Sequence, residues 1–205
     1  MRAHVLAMIL VLSTLFATLG HLPAEGQTGG AIGLYSDTQG TDCAIPDAVP
    51  GVLEVQVIHS LASDCVMGAM FAVPIPTCAT GLIFVGDRGT GLDPHQTLQG
   101  TSPIGIGVAY GLRFPPMSTL HILTIVYISQ GTSGTCCPLQ VTAAGGDFVE
   151  PPPCPNPAAV ACSGVGLPVQ AGTAYLNPNG SCSCAVPIET TTWGAVKALY
   201  VHEGF

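Results

Sequence analysis

The 205-residue sequence predicts an all-β protein, an antiparallel β-sandwich with Greek-key-like connections; a closed barrel is the alternative architecture. Three observations carry the prediction. Glycine (26) and proline (18) break the chain at short intervals. The runs between the breaks are rich in Val, Ile, Leu, Phe and Tyr, side chains that suit a pleated sheet. Beyond the first 26 residues, no stretch up to residue 188 keeps a helical period over three turns.

Residues 1–26 stand apart from the fold. Met1-Arg2-Ala3-His4 supplies one positive charge, residues 5–19 form an apolar run, and Ala24-Glu25-Gly26 offers small residues at cleavage-site spacing. This is the pattern of a secretory signal peptide cut near Gln27. The run is short of the ~20 residues a spanning helix needs, and Pro23 follows it.

A β-sandwich domain is expected over residues 27–147. Leu53, Val55 and Val57 alternate with Glu54 and Gln56, the mark of a half-buried strand. Cys65, Met67, Ala69, Phe71 and Val73 are expected to share one face of the next strand, which Pro74-Ile75-Pro76 ends. Residues 81–85 form a short apolar run closed by Gly86-Asp87-Arg88-Gly89. Ile104, Ile106, Val108 and Tyr110 alternate with Gly105, Gly107 and Ala109, a pattern expected where a second backbone approaches one face closely. Residues 120–128 are apolar on both faces and β-branched at Ile122, Thr124, Ile125, Val126 and Ile128, so this strand is expected at the centre of the sheet. Cys137, Leu139, Val141 and Ala143 alternate once more.

A Pro-rich, polyproline-like connector follows over 148–157 and a small Cys-rich β-hairpin unit over 158–189. The hairpin is signalled by Asn177-Pro178-Asn179-Gly180 between residues 173–176 and 181–186. In the C-terminal tail, 190–205, Trp193, Val196 and Tyr200 fall on one face of a short helix that Thr191 or Thr192 would cap.

Nine cysteines lie beyond the leader: Cys43, Cys65, Cys78, Cys136, Cys137, Cys154, Cys162, Cys182 and Cys184. In an exported chain they are candidates for a disulfide framework. Zinc is disfavoured, because no C-x-x-C pair exists and Cys136-Cys137 and Cys182-x-Cys184 are poorly spaced for a tetrahedral site. Neighbouring cysteines seldom bridge each other, so these four are expected to have distant partners. Cys154 and Cys162 could close the Pro-rich loop, and Cys43, Cys65 and Cys78 could supply one more bridge. Nine is odd, which leaves one thiol free or paired between molecules.

Charge narrows the function. Only 8% of residues are charged, with four Lys+Arg against twelve Asp+Glu, where about 25% is usual. Nucleic acid is excluded as a partner because no basic patch can be assembled. The acids Asp37, Asp42 and Asp47, and the loop from Asp87 to Asp93, provide oxygen ligands near glycine; Asp87 and Asp93 are weak calcium candidates that do not match the D-x-[DN]-x-[DN]-G pattern. His59, His95, His121 and His202 are isolated, no G-x-S-x-G stands in the chain, and Ser60 beside His59 points to the opposite face of a strand. No P-loop or dinucleotide fingerprint occurs. The expectation is therefore a non-enzyme without a cofactor, a hydrolase being the least supported reading. Trp193 is the single indole, and Tyr35, Tyr110, Tyr127, Tyr175 and Tyr200 fall mostly in strand runs, so a sugar-stacking platform is unannounced. Uncharged Thr, Ser, Gln, Gly and apolar surface is available for self-association or an extracellular protein partner. The first expectation is a secreted or surface-associated protein with an interaction or structural role, and the second a carbohydrate- or calcium-dependent binding module.

The order of elements adds a resemblance. A short strand at 31–35, the alternating 52–58, Gly68-Ala69-Met70-Phe71 and the late hydrophobic strand at 120–128 resemble the cohesin-like and immunoglobulin-like β-sandwiches of exported bacterial proteins, over residues 30–145. Cohesins bind dockerin modules, so the resemblance implies a protein partner; no dockerin-type calcium repeat stands in this chain. The tail Thr192-Trp193-Gly194-Ala195-Val196-Lys197-Ala198-Leu199-Tyr200 is similar to the ends of uncharacterised exported bacterial proteins with Cys-rich C-terminal hairpins.

Overall fold

The computed structural model describes residues 28–62, 65–145 and 157–182. The leader, most of the connector, Cys154, Cys184, the second arm of the expected hairpin and the tail with its expected helix lie outside the described residues.

Twelve strands are formed, and no helix, among the described residues: β1 (Gly30–Tyr35), β2 (Ala44–Ile45), β3 (Gly51–Ser60), β4 (Val66–Phe71), β5 (Leu82–Gly89), β6 (Thr97–Thr101), β7 (Gly105–Phe114), β8 (Thr119–Ser129), β9 (Cys137–Gln140), β10 (Ala158–Ala161), β11 (Gly166–Ala171) and β12 (Thr173–Leu176). Nine of them pair in the order β5-β8-β3-β1-β11-β10-β4-β7-β6. This sheet folds back on itself, for His59 of β3 touches Tyr110 of β7 and the edge strands β5 and β6 meet. The result is a sandwich of two layers, β5-β8-β3-β1-β11 and β10-β4-β7-β6. A small sheet, β2-β12-β9, covers one end.

Between the layers Ile32, Leu34, Val55, Val57, Phe71, Ile106, Val108, Tyr110, Leu123, Ile125 and Tyr127 are fully or almost fully buried. Each aromatic ring in that core removes about 150–250 Å² from water. Most pairings are antiparallel, but β1 with β11 and β12 with β2 run parallel. Those partners lie far apart in sequence, so no hairpin dictates their direction.

The structure departs from expectation at several strands. Residues 158–171, expected within a separate hairpin unit, insert β10 and β11 into the main sheet between β1 and β4, while β12 pairs with β2 and β9. In β4 a register shift between Val66 and Gly68 breaks the alternation, so Val66, Ala69 and Phe71 are buried and Met67 is exposed. In β5 a bulge between Phe84 and Gly86 carries the strand through Asp87, Arg88 and Gly89 along β8, where a turn was expected. β8 does have neighbours on both sides and is buried on both faces from Ile122 to Ile125, but its outer face opens near its end, where Ile128 stands 47% exposed.

Three disulfides fasten this arrangement: Cys65–Cys162, Cys78–Cys137 and Cys136–Cys182. Cys43 is also disulfide-bonded. The adjacent Cys136 and Cys137 thus have separate, distant partners. Cys162 does not close the Pro-rich loop with Cys154; the antiparallel pairing of β10 with β4 brings it to Cys65, whose carbonyl accepts the Cys162 amide at 2.9 Å.

Candidate interaction face

Two cross-strand rows define the outer face of the layer β10-β4-β7-β6. Ala158, Met70, Gly107 and Gln99 are register partners in one, and Val160, Gly68, Ala109 and Thr97 in the other. Ile106, Val108 and Tyr110 turn inward, so between them β7 presents Gly107 and Ala109 outward. Among the described residues no second backbone covers them. The bare glycine face opens instead into a shallow depression of about 210 Å³, floored by Gly68, Gly107 and Ala109 and walled by Met67, Met70, Val160, Thr97 and Gln99. Gly68 is required there, because a Cβ would stand 2.8 Å from the Val108 carbonyl oxygen of β7. None of the lining side chains is charged.

A wider hollow of about 740 Å³ lies at the capped end, lined in part by Asp42, Thr135, Asn177 and Pro178. Its Asn177 side chain is already engaged. The Asn177 amide nitrogen donates to the carbonyls of Asp47 and Ser133, at 3.1 and 3.0 Å, and its side-chain oxygen accepts the Asp47 amide at 2.6 Å.

The acids singled out in the sequence serve the backbone. Asp87 accepts the Ser102 amide at 2.8 Å, and Asp93 accepts the His95 amide at 2.7 Å. Burial pushes the Asp87 carboxyl above its ordinary range, against the lowering effect of its Ser102 hydrogen bonds. Asp37 accepts the amides of Gln39, Thr41 and Asp42, Asp42 accepts that of Ala44, and buried Asp47 accepts the Ser129 hydroxyl. Among the described residues no group of three or more His, Cys, Asp or Glu is placed to hold a metal ion.

The histidines and aromatics are likewise dispersed. His59 is wholly buried between Tyr110 and the Gly29 carbonyl. His121 lies against the Leu123 carbonyl and the Thr124 hydroxyl, and His95 sits in the β5–β6 loop. Tyr35, Tyr110 and Tyr127 are core residues, Tyr175 is half-buried, and His202, Trp193 and Tyr200 lie outside the described residues. The face itself escaped the sequence reading, although its signal, the Gly-Ala alternation of β7, was visible there.

No protein-family model and no curated protein matches the chain. Solved structures do. The chain is similar to the cohesin module of a family 33 glycoside hydrolase from Clostridium perfringens, with a TM-score of 0.50 and 13% identity over 74% of this chain and 99% of that one. It is also similar to the sixth cohesin of Acetivibrio cellulolyticus scaffoldin B, solved with a Cel5 dockerin, at a TM-score of 0.45 and 12% identity over 74% and 100% of the two chains. A non-cellulosomal cohesin from Archaeoglobus fulgidus gives 0.43 and 12% over 85% and 98%. No helix among the described residues is long and apolar enough to cross a membrane. The protein has a cohesin-like β-sandwich fold fastened by disulfides.

Proposed function

We propose that this protein is an exported, non-catalytic module that binds another polypeptide through the outer face of β10-β4-β7-β6. The observation that carries the reading is the uncharged, glycine-floored depression on an exposed sheet. Cores of protein interfaces are depleted in charge, and a rigid sheet loses little conformational freedom on docking. A floor of Gly68, Gly107 and Ala109 admits one apolar side chain from a partner, Met67 and Met70 adapt around it, and Thr97 and Gln99 offer hydrogen bonds at the rim. The cohesin-like fold supports the same class of role by analogy. Export is supported by the leader at 1–26 and by disulfides, which persist in oxidising compartments.

Ala109→Arg tests the reading, because Ala109 is exposed and its replacement fills the depression without touching the core. The exported chain and the variant are used as baits in the secreted fraction of the source cells, and their oligomeric states are compared by light scattering. A protein retained by the native chain and lost with the variant is the expected result, as is self-association that the variant abolishes. Equal behaviour of the two baits in both assays overturns it.

A further inference from the structure

The opposite layer carries a second bare face. Val52 of β3, Ile128 of β8 and Ile83 of β5 are register partners, and they stand side by side at 70%, 47% and 52% exposure. Val85 beside the β5 bulge and Val49 just ahead of β3 are also exposed. Two polar pairs of the same strands are engaged with each other: Arg88 bonds Glu54 at 2.9 Å, and the Thr124 hydroxyl donates to Gln56 at 2.8 Å. What remains is a contiguous aliphatic patch, unlike the scattered apolar residues of an ordinary surface.

The chain leaves the described fold next to this patch. Asn177 is clamped to Asp47, Gly131 packs against Val49 and Pro50, and Cys182 is bonded to Cys136, whose amide donates to the Asn177 carbonyl at 3.1 Å. That end of the sandwich is where β3 begins and β8 ends, one residue from the Val52–Ile128 pair. Residues 183–205 follow, and they contain the single tryptophan of the protein, Trp193, with Val196 and Tyr200 at helical spacing. Extended chain spans about 3.3 Å per residue and three strands are about 10 Å wide, so Trp193 reaches the whole patch.

We propose that the tail, residues 190–205, docks on its own sandwich by placing Trp193, Val196 and Tyr200 against Val52, Ile83, Val85 and Ile128. The tail then covers the layer opposite to the glycine-floored depression and leaves the depression free.

Because Trp193 is the only tryptophan, its fluorescence in the full exported chain reads the docking directly. Emission and acrylamide quenching are measured for the native protein, for Ile128→Asp and, on the other face, for Val160→Asp, over a hundredfold dilution. Expected is a blue-shifted, shielded emission in the native protein and in V160D, unchanged by dilution, and a red-shifted emission with several-fold stronger quenching in I128D. Val52→Asp, at a more exposed position, repeats the reading should I128D lose its circular dichroism spectrum. Solvent-type emission in the native protein, indifference to both aspartates on the patch, or a shift in V160D overturns the proposal. Emission that reddens on dilution also overturns it, by assigning the patch to the tail of a second copy.

Discussion

His59 shows how one side chain can join two layers and make the fold sensitive to acid. The Gly29 carbonyl can only accept, so the Nε2–H of His59 donates to it at 2.9 Å, and Nδ1 is left to accept the Tyr110 hydroxyl. Tyr110 belongs to the facing layer and rests edge-on against Phe114. Burial lowers the His59 pKa from 6.5 to about 4, only partly opposed by the hydrogen bond to Gly29. The unfolded chain takes up a proton near pH 6.5 and the folded chain does not, so stability is full above that value and falls as the pH drops towards 4. The loss is on the order of 3 kcal/mol. His59→Phe is expected to cost about 1–3 kcal/mol at pH 7, by orphaning the Tyr110 hydroxyl and the Gly29 carbonyl, and to flatten the fall in urea midpoint between pH 6.5 and 4.5. Asp87, held protonated to higher pH by burial, acts in the opposite sense, so the difference between variant and native protein is the readout. If the variant keeps the native slope, His59 is not the acid-sensitive group.

At the scale of elements, β4 and β7 are held at their spacing by a missing side chain. A Cβ on Gly68 meets the Val108 carbonyl at 2.8 Å, whereas one on Gly86, in the β5 bulge, meets nothing within 4 Å. Gly68→Ala is therefore expected to lower stability by about 1–3 kcal/mol as β4 is pushed off β7, and Gly86→Ala to be neutral or to gain a few tenths. Thermal melts of the pair decide it, and equal melting temperatures reject the close approach. The strands that the sequence makes legible are those with an uninterrupted pattern: β1, β3 and β8 alternate or run apolar, and each pairs as such a strand should. β10 and β11 were not legible as members of the main sheet. β10 reads only Ala-Ala-Val-Ala, and β11 contains Pro168, which normally excludes a strand from a sheet interior. Pro168 is tolerated because β1 pairs with β11 only from Val169 onward, while its carbonyl still accepts the Gly29 amide at 2.8 Å. The proposed interaction face was half legible. The glycines of β7 announced an empty face, but only the register shows that Met70, Val160, Thr97 and Gln99 border it rather than a second backbone.

For the whole molecule, the balance between covalent and electrostatic stabilisation is lopsided. The one ion pair among the described residues, Arg88–Glu54, is 60% and 42% exposed, and pairs of that kind contribute at most about 1 kcal/mol. The disulfides close separations of 97, 59 and 46 residues. Loops of that length each remove about 4–5 kcal/mol of denatured-state freedom in the chain-entropy account, and the measured cost of losing one is typically 2–4 kcal/mol. A domain's whole folding free energy is about 5–15 kcal/mol, so the bridges together rival it. Cys65–Cys162 spans the largest of these three separations and ties β10 to β4, the junction where the chain's late strands enter the main sheet. Replacing both residues of that pair by alanine is expected to lower the melting temperature by about 5–15 °C, and full reduction with dithiothreitol to abolish the cooperative transition near room temperature. Raising the salt concentration to 0.5 M should move the transition by no more than about 2 °C, because so little charge is there to screen. A melting temperature that survives reduction but falls with salt would reverse this assignment and place the stability of the sandwich in its few charges.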